Sequence, residues 1–372
     1  MKKNALPVFL LLAGALLLVY AAAAGGSSTD PLISLSYLRN TFTPTANASV
    51  DEAIAAAGNN AYAAAEARWS DAVKTAEASV SARRTYSWED ARFKQGDILT
   101  GLTGTQVMLL AGQGNISFTA GAVVDATDGV EAELGSELKP RHRYIIAEDT
   151  TALVVVTSRT AVIEYCGDYH TNPSTASTDY NAIASALKKL TLFNGTDTAY
   201  GEGFDLELAP TRIQALVMLI RLLGEETQAM ASTAANPFPD VPAWADRYVA
   251  YAFDKGYTNG VEDNKFAPNR IATANMYLEF VLRALGYSST AQTNINDAAD
   301  RALSAGVITN GERSFIPSVD FLRADVAYLS WYALEAKVAG SPLTLHEKLQ
   351  NSGVFSASDY QAAREFVPSG RL

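Results

Sequence analysis

The chain has 372 residues, a net charge of −11 and a single cysteine, Cys166. This length suffices for two or three domains, each with its own core. One cysteine cannot form an intrachain disulfide, so a disulfide-stapled secreted scaffold is excluded, and we expect a buried thiol that packs as a small apolar side chain. The acidic charge argues against nucleic acid or anionic lipid as the main partner. The sequence contains no cofactor or metal motif, and we expect neither group.

Residues 1–24 are typical of a secretory signal peptide. Lys2 and Lys3 form a basic start, an apolar run follows, and Ala22 and Ala24 provide a small-residue cleavage site. The alternative is an uncleaved anchor, because about 20 apolar residues can span a bilayer. No cysteine follows the run directly, so a bacterial lipoprotein anchor is not expected. We expect cleavage, export from the cytoplasm and no stable membrane insertion afterwards.

Residues 25–84 are predicted to be helical, because alanine, glutamate and lysine are frequent in them. Gly58, Asn59 and Asn60 are expected to divide this run into two helices. Two interpretations stay open at this point. The segment is either a spacer with a weak, alanine-rich coiled-coil seam or a short helical hairpin that packs on the next domain.

Residues 85–172 consist of short runs rich in β-branched residues and separated by glycine, aspartate and asparagine. Strands of this length and spacing predict a small all-β domain, an antiparallel sandwich or roll. His142 stands between two arginines, and no second ligand lies at metal-binding spacing in the sequence. We therefore expect His142 to be a surface residue. A polar stretch at 170–179 marks the end of this domain.

From Asp179 onward the pattern is helical, and it repeats three times. Each copy has a shorter helix that ends at an Asn-Gly turn, then a loop and a longer helix, in a unit of roughly 50 to 60 residues. The longer helices are "APTRIQALVMLIRLLG", "ATANMYLEFVLRALG" and "FLRADVAYLSWYALEA". The copies occupy residues 179–235, 236–292 and 293–340. Residues 341–372 are expected to form an accessory tail, a helix followed by a loose end.

These copies resemble S-layer homology domains. The family pattern has a Phe-x-Asp-Val stretch followed by Trp-Ala, then Gly-x-x-x-Gly, Phe-x-Pro and Thr-Arg-Ala-Glu, and "FPDVPAWA", "GYTNG", "FAP" and "TRIQ" match it here. The resemblance covers residues 179–340, less than half of the chain. It implies an all-α pseudo-trimer, a three-pronged helix-loop-helix spindle with ligand grooves between the prongs. It also implies the ligand, a secondary cell-wall polysaccharide that is linked to peptidoglycan and bears a pyruvate ketal.

Arg212 is the candidate ligand-binding residue of copy one. Thr211 and Gln214 form a predicted capping box, which leaves Arg212 at the first helical position, directed toward solvent beside the positive end of the helix dipole. A helix N-terminus with an added guanidinium favours an anion, and the planar guanidinium suits a carboxylate. The alternative is an ion pair with a nearby acidic residue. The resemblance implies that Arg212 binds the pyruvate carboxylate, so that an acidic protein can hold an acidic polymer.

Copy two supplies further candidate ligand-binding residues. Trp244 is expected to staple helix to loop or, as the resemblance implies, to offer its face to a sugar. Asp240 is expected to cap or turn the chain at Pro242. Gly256 and Gly260 are expected to give the loop its backbone freedom.

The copies depart from the family pattern in two places. Copy two has Ala274 where the family has arginine, so it serves folding alone or uses Arg270 or Arg247 instead. Copy three keeps Arg323 and Asp325 but lacks the capping threonine. We therefore expect ligand grooves that involve copies one and three.

The leading functional hypothesis is an exported, non-enzymatic protein of the cell wall or S-layer. Its C-terminal copies would attach it to wall polysaccharide, in a Gram-positive type of envelope, and neighbouring copies of the chain or other surface proteins are further candidate partners. Two alternatives stay open, a wall-tethered glycan hydrolase and an adhesin, each with its activity in residues 85–172. The carboxylates of that region are scattered along the sequence, and the region is short for a glycosidase fold.

Overall fold

The computed structural model describes residues 35–82, 85–175, 178–198, 201–287, 294–315, 320–367 and 370–372. The predicted signal peptide lies outside these residues. The chain divides into two compact units, Met1–Ser81 and Ala82–Leu372. Among the helices of the described ranges, none combines the length and apolar character that a membrane-spanning segment needs.

One long helix, α1 (Thr43–Ala82), dominates the first unit and follows short helical turns at Leu35–Tyr37 and Leu38–Phe42. The helix continues through residues 58–60, so the predicted break and the hairpin interpretation are wrong. A glycine costs about 1 kcal/mol in a helix relative to alanine, and the many flanking alanines offset this cost. Trp69 is 73% exposed. The spacer interpretation stays a prediction.

The β-sheet domain opens the second unit and consists of two antiparallel sheets. The strands are β1 (Thr85–Lys94), β2 (Ile98–Gly101), β3 (Gln106–Ala111), β4 (Gly114–Phe118), β5 (Ala122–Asp125), β6 (Val130–Glu131), β7 (Arg143–Ala147), β8 (Ala152–Val156), β9 (Thr160–Gly167) and β10 (Tyr169–Asn172). One sheet has six strands in the order β1-β9-β3-β7-β5-β6, and the other has four in the order β10-β2-β8-β4.

Alternating burial along the strands builds the core of this domain. Val154 on β8 is fully buried between half-buried neighbours, as expected for a strand with one face inward. Val154 and Leu99 of the four-stranded sheet share one core with Val107 and Ile163 of the six-stranded sheet. The predicted antiparallel β domain is thus confirmed as two sheets around one core. Cys166 on β9 is buried and free, as expected.

Helices make up most of the remaining chain. They are α2 (Tyr180–Lys189), α3 (Arg212–Leu222), α4 (Glu226–Ala231), α5 (Asp246–Asp254), α6 (Ala274–Ala284), α7 (Ala298–Ser304), α8 (Asn310–Phe315), α9 (Arg323–Ala333), α10 (Leu345–Asn351) and α11 (Ala357–Arg364). Short 3-10 turns lie at Ala243–Ala245, Glu262–Asn264 and Ile295–Asp297, and a small ribbon pairs β11 (Thr196–Thr198) with β12 (Gly201–Gly203).

The three predicted longer helices are α3, α6 and α9, each of 11 residues. Leu216, Tyr277 and Trp331, one from each of these helices, belong to a single apolar core. The helical C-terminal region is therefore confirmed. The three-pronged arrangement and the boundaries of the copies stay predictions.

The tail is better ordered than the sequence suggested. Helices α10 and α11 both begin with a capping box, and Tyr360 of α11 stacks on Trp331 of α9 at 6.0 Å between ring centroids. His346 of α10 also stacks on Tyr360, at 4.3 Å. The expected loose end is wrong, because apolar residues such as Leu349 add to the helical core.

Candidate ligand-binding groove

A groove of about 650 Å³ lies where α3, α6 and the loop after α5 meet. Its lining mixes three arginines with two glutamates, small loop residues and one face of α6. The lining residues are Arg212, Tyr257, Thr258, Asn259, Gly260, Val261, Glu262, Arg270, Met276, Glu279, Phe280, Arg283, Asn294 and Ile295.

A capping box places Arg212 at the floor of the groove. The side chain of Gln214 accepts a hydrogen bond from the Thr211 N–H at 2.9 Å, and the Thr211 hydroxyl accepts one from the Gln214 N–H at 3.4 Å. These reciprocal bonds start α3 at Arg212, as the sequence predicted. Thr211 and Gln214 thus contribute to the groove indirectly, by fixing the helix start.

Arg212 is buried, contrary to the expectation that it faces solvent. Only 3% of it is exposed, and its guanidinium carbon lies 5.0 Å from the ring centres of both Phe266 and Phe280. Aromatic faces attract a guanidinium, which explains why the side chain folds inward between the two rings. One terminal nitrogen donates to the carbonyl of Gly260 at 3.2 Å.

The charge of Arg212 has no counter-ion within the described ranges. No carboxylate there lies within ion-pairing distance of it, and its Nε is buried without a hydrogen-bond partner. Burial, and then the charges of Arg270 and Arg283, lower the pKa of Arg212 to about 10. The guanidinium is therefore still protonated at neutral pH, and the predicted plain ion pair with a neighbouring acid is not what the described residues show.

Asp240 holds the loop that carries the aromatic floor. Its two carboxylate oxygens accept hydrogen bonds from the backbone N–H groups of Phe266 and Ala267, at 2.9 and 2.8 Å. Burial opposes ionisation of this carboxyl, but these bonds hold the pKa of Asp240 below its ordinary value. The turn at Pro242 has no side-chain cap. Asp240 itself lies in a turn, as one of the two expectations had it. The expected cap at Pro242 is wrong, because both carboxylate oxygens of Asp240 accept from the amides of Phe266 and Ala267 instead.

Gly256 and Gly260 both have positive φ, at 74° and 76°. The space around the two glycines differs. A Cβ on Gly260 would lie 2.4 Å from the Phe238 ring and 2.7 Å from the carbonyl oxygen of Lys265, whereas a Cβ on Gly256 would meet nothing within 4 Å. Gly256 therefore supplies only the turn conformation, and Gly260 supplies both the turn and the close approach that brings its carbonyl to Arg212.

The remaining charges of the groove are partly balanced. Arg283 donates to Glu279 at 2.6 Å, and Arg301 makes a second ion pair with the same carboxylate. No carboxylate within the described ranges pairs with the side chain of Arg270. The sequence analysis did not predict that Glu279 and Arg283 line the groove. Two charged residues on an otherwise apolar face of α6 could have indicated it.

Comparison with protein families identifies the domain that forms this loop. The family model described as S-layer homology domain matches residues 237–273, which include Asp240, Gly256, Gly260 and Arg270. The chain carries an S-layer homology domain. The predicted resemblance is thereby confirmed at copy two, the copy that builds the loop beneath Arg212.

The relatives found match only parts of this chain. A cell surface protein from Thermoanaerobacter kivui is 36% identical over 120 residues, which are 32% of this chain and 16% of that protein. Among solved structures, procruciferin, an 11S globulin from Brassica napus, matches at 13% identity and a TM-score of 0.16, with 23% of this chain and 22% of that chain covered. A recombinant pro-11S globulin of pumpkin matches at 14% identity, the same coverage and a TM-score of 0.16. Likeness at these TM-scores tells nothing about fold or function.

Trp244 of the S-layer homology domain stands apart from the groove. It is 60% exposed and does not line the cavity, whereas Ala245 beside it is fully buried. The expected staple between helix and loop is therefore wrong, and the aromatic contact in this loop is the one between Phe238 and Phe266, at 6.1 Å between ring centroids. Contact between Trp244 and a sugar stays a prediction.

The arginine of copy three has internal partners. The Nε of Arg323 donates to the carbonyl of Phe204 at 2.9 Å, and its guanidinium lies 5.9 Å from the Phe193 ring. Burial lowers the pKa of Arg323 and the charge of Asp205 opposes this effect. Arg323 is thus buried, as Arg212 is, but an acidic residue, Asp205, acts on its charge.

Asp325 of copy three contacts the β-sheet domain. Its carboxylate accepts a hydrogen bond from the Leu322 N–H at 2.7 Å and forms an ion pair with Arg159, which lies between β8 and β9. Arg159 also donates to the carbonyl of Asp320 at 2.6 Å. Leu322 at the N-cap offers no side-chain bond to the helix, so Asp325 alone completes this end of α9.

In copy two, Thr273 caps α6 by accepting from the Met276 N–H at 3.3 Å, and Ala274 is buried. Of the two substitutes considered for the missing arginine, Arg270 lines the groove. Arg247 instead donates to the carbonyl of Met230 at 2.6 Å and is not part of the lining.

His142 belongs to a cluster that sequence spacing did not reveal. Its Nδ1 lies 2.9 Å from an Asp125 oxygen, and ligand atoms of Asp125, Asp128 and His142 all fall within 4.8 Å of one another. The turn after β5 brings Asp125 and Asp128 to His142, a grouping that spacing along the sequence did not reveal. His142 itself is partly exposed, and its expected place at the surface is not contradicted. Lys139 forms an ion pair with Asp128 and lies 3.9 Å from an Asp125 oxygen, so one lysine offsets part of the charge of the two carboxylates.

Proposed function

We propose that this protein is an exported, non-enzymatic surface protein that binds wall polysaccharide non-covalently through the groove at Arg212. The observation that carries this proposal is the buried guanidinium of Arg212, which has no carboxylate partner within the described ranges and opens on a groove of about 650 Å³. A buried charge without a partner is costly, and proteins retain such groups for ligand binding and catalysis. S-layer homology domains bind cell-wall polysaccharide generally, which is the ligand class that the groove would serve.

The chemistry of the groove favours a sugar acid. A guanidinium between two aromatic rings presents its edge for a planar, bidentate acceptor, and a carboxylate has that shape. A pyruvate ketal on a pyranose supplies such a carboxylate beside neutral hydroxyls. The net charge of −11 repels acidic polymers at long range, so capture depends on the local cations of the groove.

The cell surface is the proposed location. The relative from Thermoanaerobacter kivui is described as a cell surface protein, and it matches this chain over 120 residues. A wall-attachment domain requires export, which agrees with the predicted signal peptide. The β-sheet domain would then be displayed at the surface. We propose no enzymatic activity for it, because its clustered Asp125, Asp128, His142 and Lys139 are paired with one another.

Co-sedimentation of the purified chain with cell-wall sacculi tests this function. Intact sacculi and sacculi stripped of secondary polysaccharide run in parallel, each with the wild-type chain and the Arg212→Ala variant. Arg247→Ala is the matched control, because Arg247 is another arginine of the helical region that does not line the groove. Wild type and control should pellet with intact sacculi only, and Arg212→Ala should stay in solution.

Other outcomes separate the alternatives. Equal pelleting with stripped sacculi would identify peptidoglycan as the ligand and contradict the proposed polysaccharide. Full pelleting of a folded Arg212→Ala variant would move the binding site away from the groove. No pelleting of the wild-type chain with either preparation would contradict wall attachment altogether.

A further inference from the structure

We propose that Arg270 is the second cation of the groove, so that the acidic group of the ligand is bound between Arg212 at the floor and Arg270 at the rim. This inference rests on the proposed function and names the charge class of its ligand, a glycan with one acidic group on the bound sugar. The sequence analysis named Arg270 only as a substitute for the arginine that copy two lacks, whereas here it shares a groove with the arginine of copy one.

Backbone pairing holds the two arginines side by side. The Arg212 N–H donates to the carbonyl of Arg270 at 2.7 Å, and the Ala272 N–H donates to the carbonyl of Pro210 at 2.9 Å. These bonds flank an antiparallel bridge between Thr211 and Ile271. The start of α3 and the start of copy two's second helix are therefore tied together, and the two guanidiniums are placed on one groove by main-chain geometry.

The balance of charge distinguishes Arg270 from the third arginine of the lining. Arg283 is paired with Glu279, which also holds Arg301. Arg270 is exposed and Arg212 is buried, and neither has a carboxylate partner among the described residues. Two unbalanced guanidiniums that face one groove repel each other, and an anion bound between them removes this repulsion.

The glutamates of the lining limit how much negative charge the groove accepts. The lining has a net charge of +1, because it contains three arginines and two glutamates. They are Arg212, Arg270, Arg283, Glu262 and Glu279. A single carboxylate matches that charge. A polyphosphate or a densely sulfated chain would meet repulsion from Glu262, an exposed residue of the lining. The groove therefore fits a sugar that bears one acidic group, with its neutral hydroxyls toward Asn259 and Asn294.

Titration of the full chain with two small probes tests the role of Arg270. The first probe is a methyl pyranoside pyruvate ketal with its free carboxylate, and the second is the methyl ester of the same compound. Wild type, Arg270→Ala, Arg212→Ala and the off-groove control Arg247→Ala are compared at several salt concentrations. Thermal unfolding of each variant, measured alongside, establishes that the chains are folded.

We expect Arg270→Ala to bind the free acid about tenfold more weakly, since one charge-assisted hydrogen bond is lost. Its affinity should also depend less on salt than that of the wild type, because one attractive charge is missing. The control should match the wild type, and the ester should bind no chain. Wild-type affinity in Arg270→Ala, together with loss of binding in Arg212→Ala, would overturn the role of Arg270 and leave the proposed function standing. A wild-type chain that binds neither the free acid nor sacculi would contradict the proposed function itself.

Discussion

Arg159 of the β-sheet domain forms an ion pair with Asp325, a residue that the sequence assigned to a ligand groove. Asp325 is only 6% exposed, and Arg159 extends past it to donate to the carbonyl of Asp320. The loop between β8 and β9 thus contacts the start of α9. Asp325, an expected ligand residue of copy three, is thus paired with a cation of the protein. Arg212 of copy one has no carboxylate partner among the described residues, although a backbone carbonyl and two aromatic rings surround it.

The first prediction concerns this contact. Arg159→Ala leaves a buried carboxylate without its partner, and we expect the free energy of unfolding to fall by about 2 to 4 kcal/mol at pH 7. Burial raises the pKa of Asp325, and Arg159 opposes that effect. Loss of Arg159 raises this pKa further, so the penalty exists only where Asp325 is ionised. The loss of stability should therefore be large at pH 7 and small near pH 4.

Urea unfolding at both pH values measures the effect, and Asp325→Asn serves as the matched partner. In a chain that already carries Asp325→Asn, the Arg159→Ala substitution should cost much less, because no buried charge is left unpaired. Equal losses at both pH values, or with and without the Asp325→Asn change, would contradict an ionic role for the contact.

The second prediction separates binding from stability at Arg212. Methionine has a similar length and no charge, so Arg212→Met removes a buried guanidinium for which the described part of the chain supplies no counter-ion. We expect binding to sacculi to be lost while the free energy of unfolding stays equal or rises by about 1 to 2 kcal/mol, as when buried charges give way to apolar side chains. Urea unfolding in the absence of ligand checks the stability. A loss of several kcal/mol would show that Arg212 is a structural residue.

The third prediction compares two glycines with nearly the same φ. Gly256→Ala places a Cβ in open space and should lower the free energy of unfolding by about 1 kcal/mol, because alanine is strained in the left-handed backbone region. Gly260→Ala drives a Cβ into the Phe238 ring and the Lys265 carbonyl, so the loop must shift. We expect a larger loss of stability and weaker binding, because the Gly260 carbonyl that Arg212 contacts must move. Equal thermal shifts for the two variants would contradict the close approach.

Sequence patterns predicted those features that depend on residues close together in the chain. The capping box joins Thr211 to Gln214 across three positions, so its residue types alone reveal it. The alternation of burial along β8 and the apolar faces of α3, α6 and α9 are likewise periodic signals. The S-layer homology pattern then connected these elements to a ligand class.

Contacts between distant parts of the chain could not be predicted. Asp240 accepts from amides 26 and 27 residues away, and Arg159 meets a carboxylate 166 residues away. The burial of Arg212 likewise depends on Phe266 and Phe280, which belong to another copy. Tertiary packing determines which distant residues meet. A solvent-directed Arg212 and a cap at Pro242 were therefore expected from the local sequence, and the folded structure has neither.

The last prediction uses the acid response of Asp240. Its folded-state pKa lies below the ordinary value of 3.8, since the Phe266 and Ala267 amides favour the charged form over the opposing effect of burial. A carboxyl with a lowered pKa stabilises the fold above its ordinary pKa, and this stabilisation is lost as the pH falls through the folded value. Asp240→Asn keeps one acceptor oxygen and loses the other. We therefore expect a loss of about 1 to 2 kcal/mol at pH 7 and a smaller one near pH 3. Urea unfolding midpoints at the two pH values measure the difference in stability between the wild type and Asp240→Asn, and the exposed Asp254→Asn serves as the control. A difference that is as large at pH 3 as at pH 7 would contradict the charged bonds to the loop.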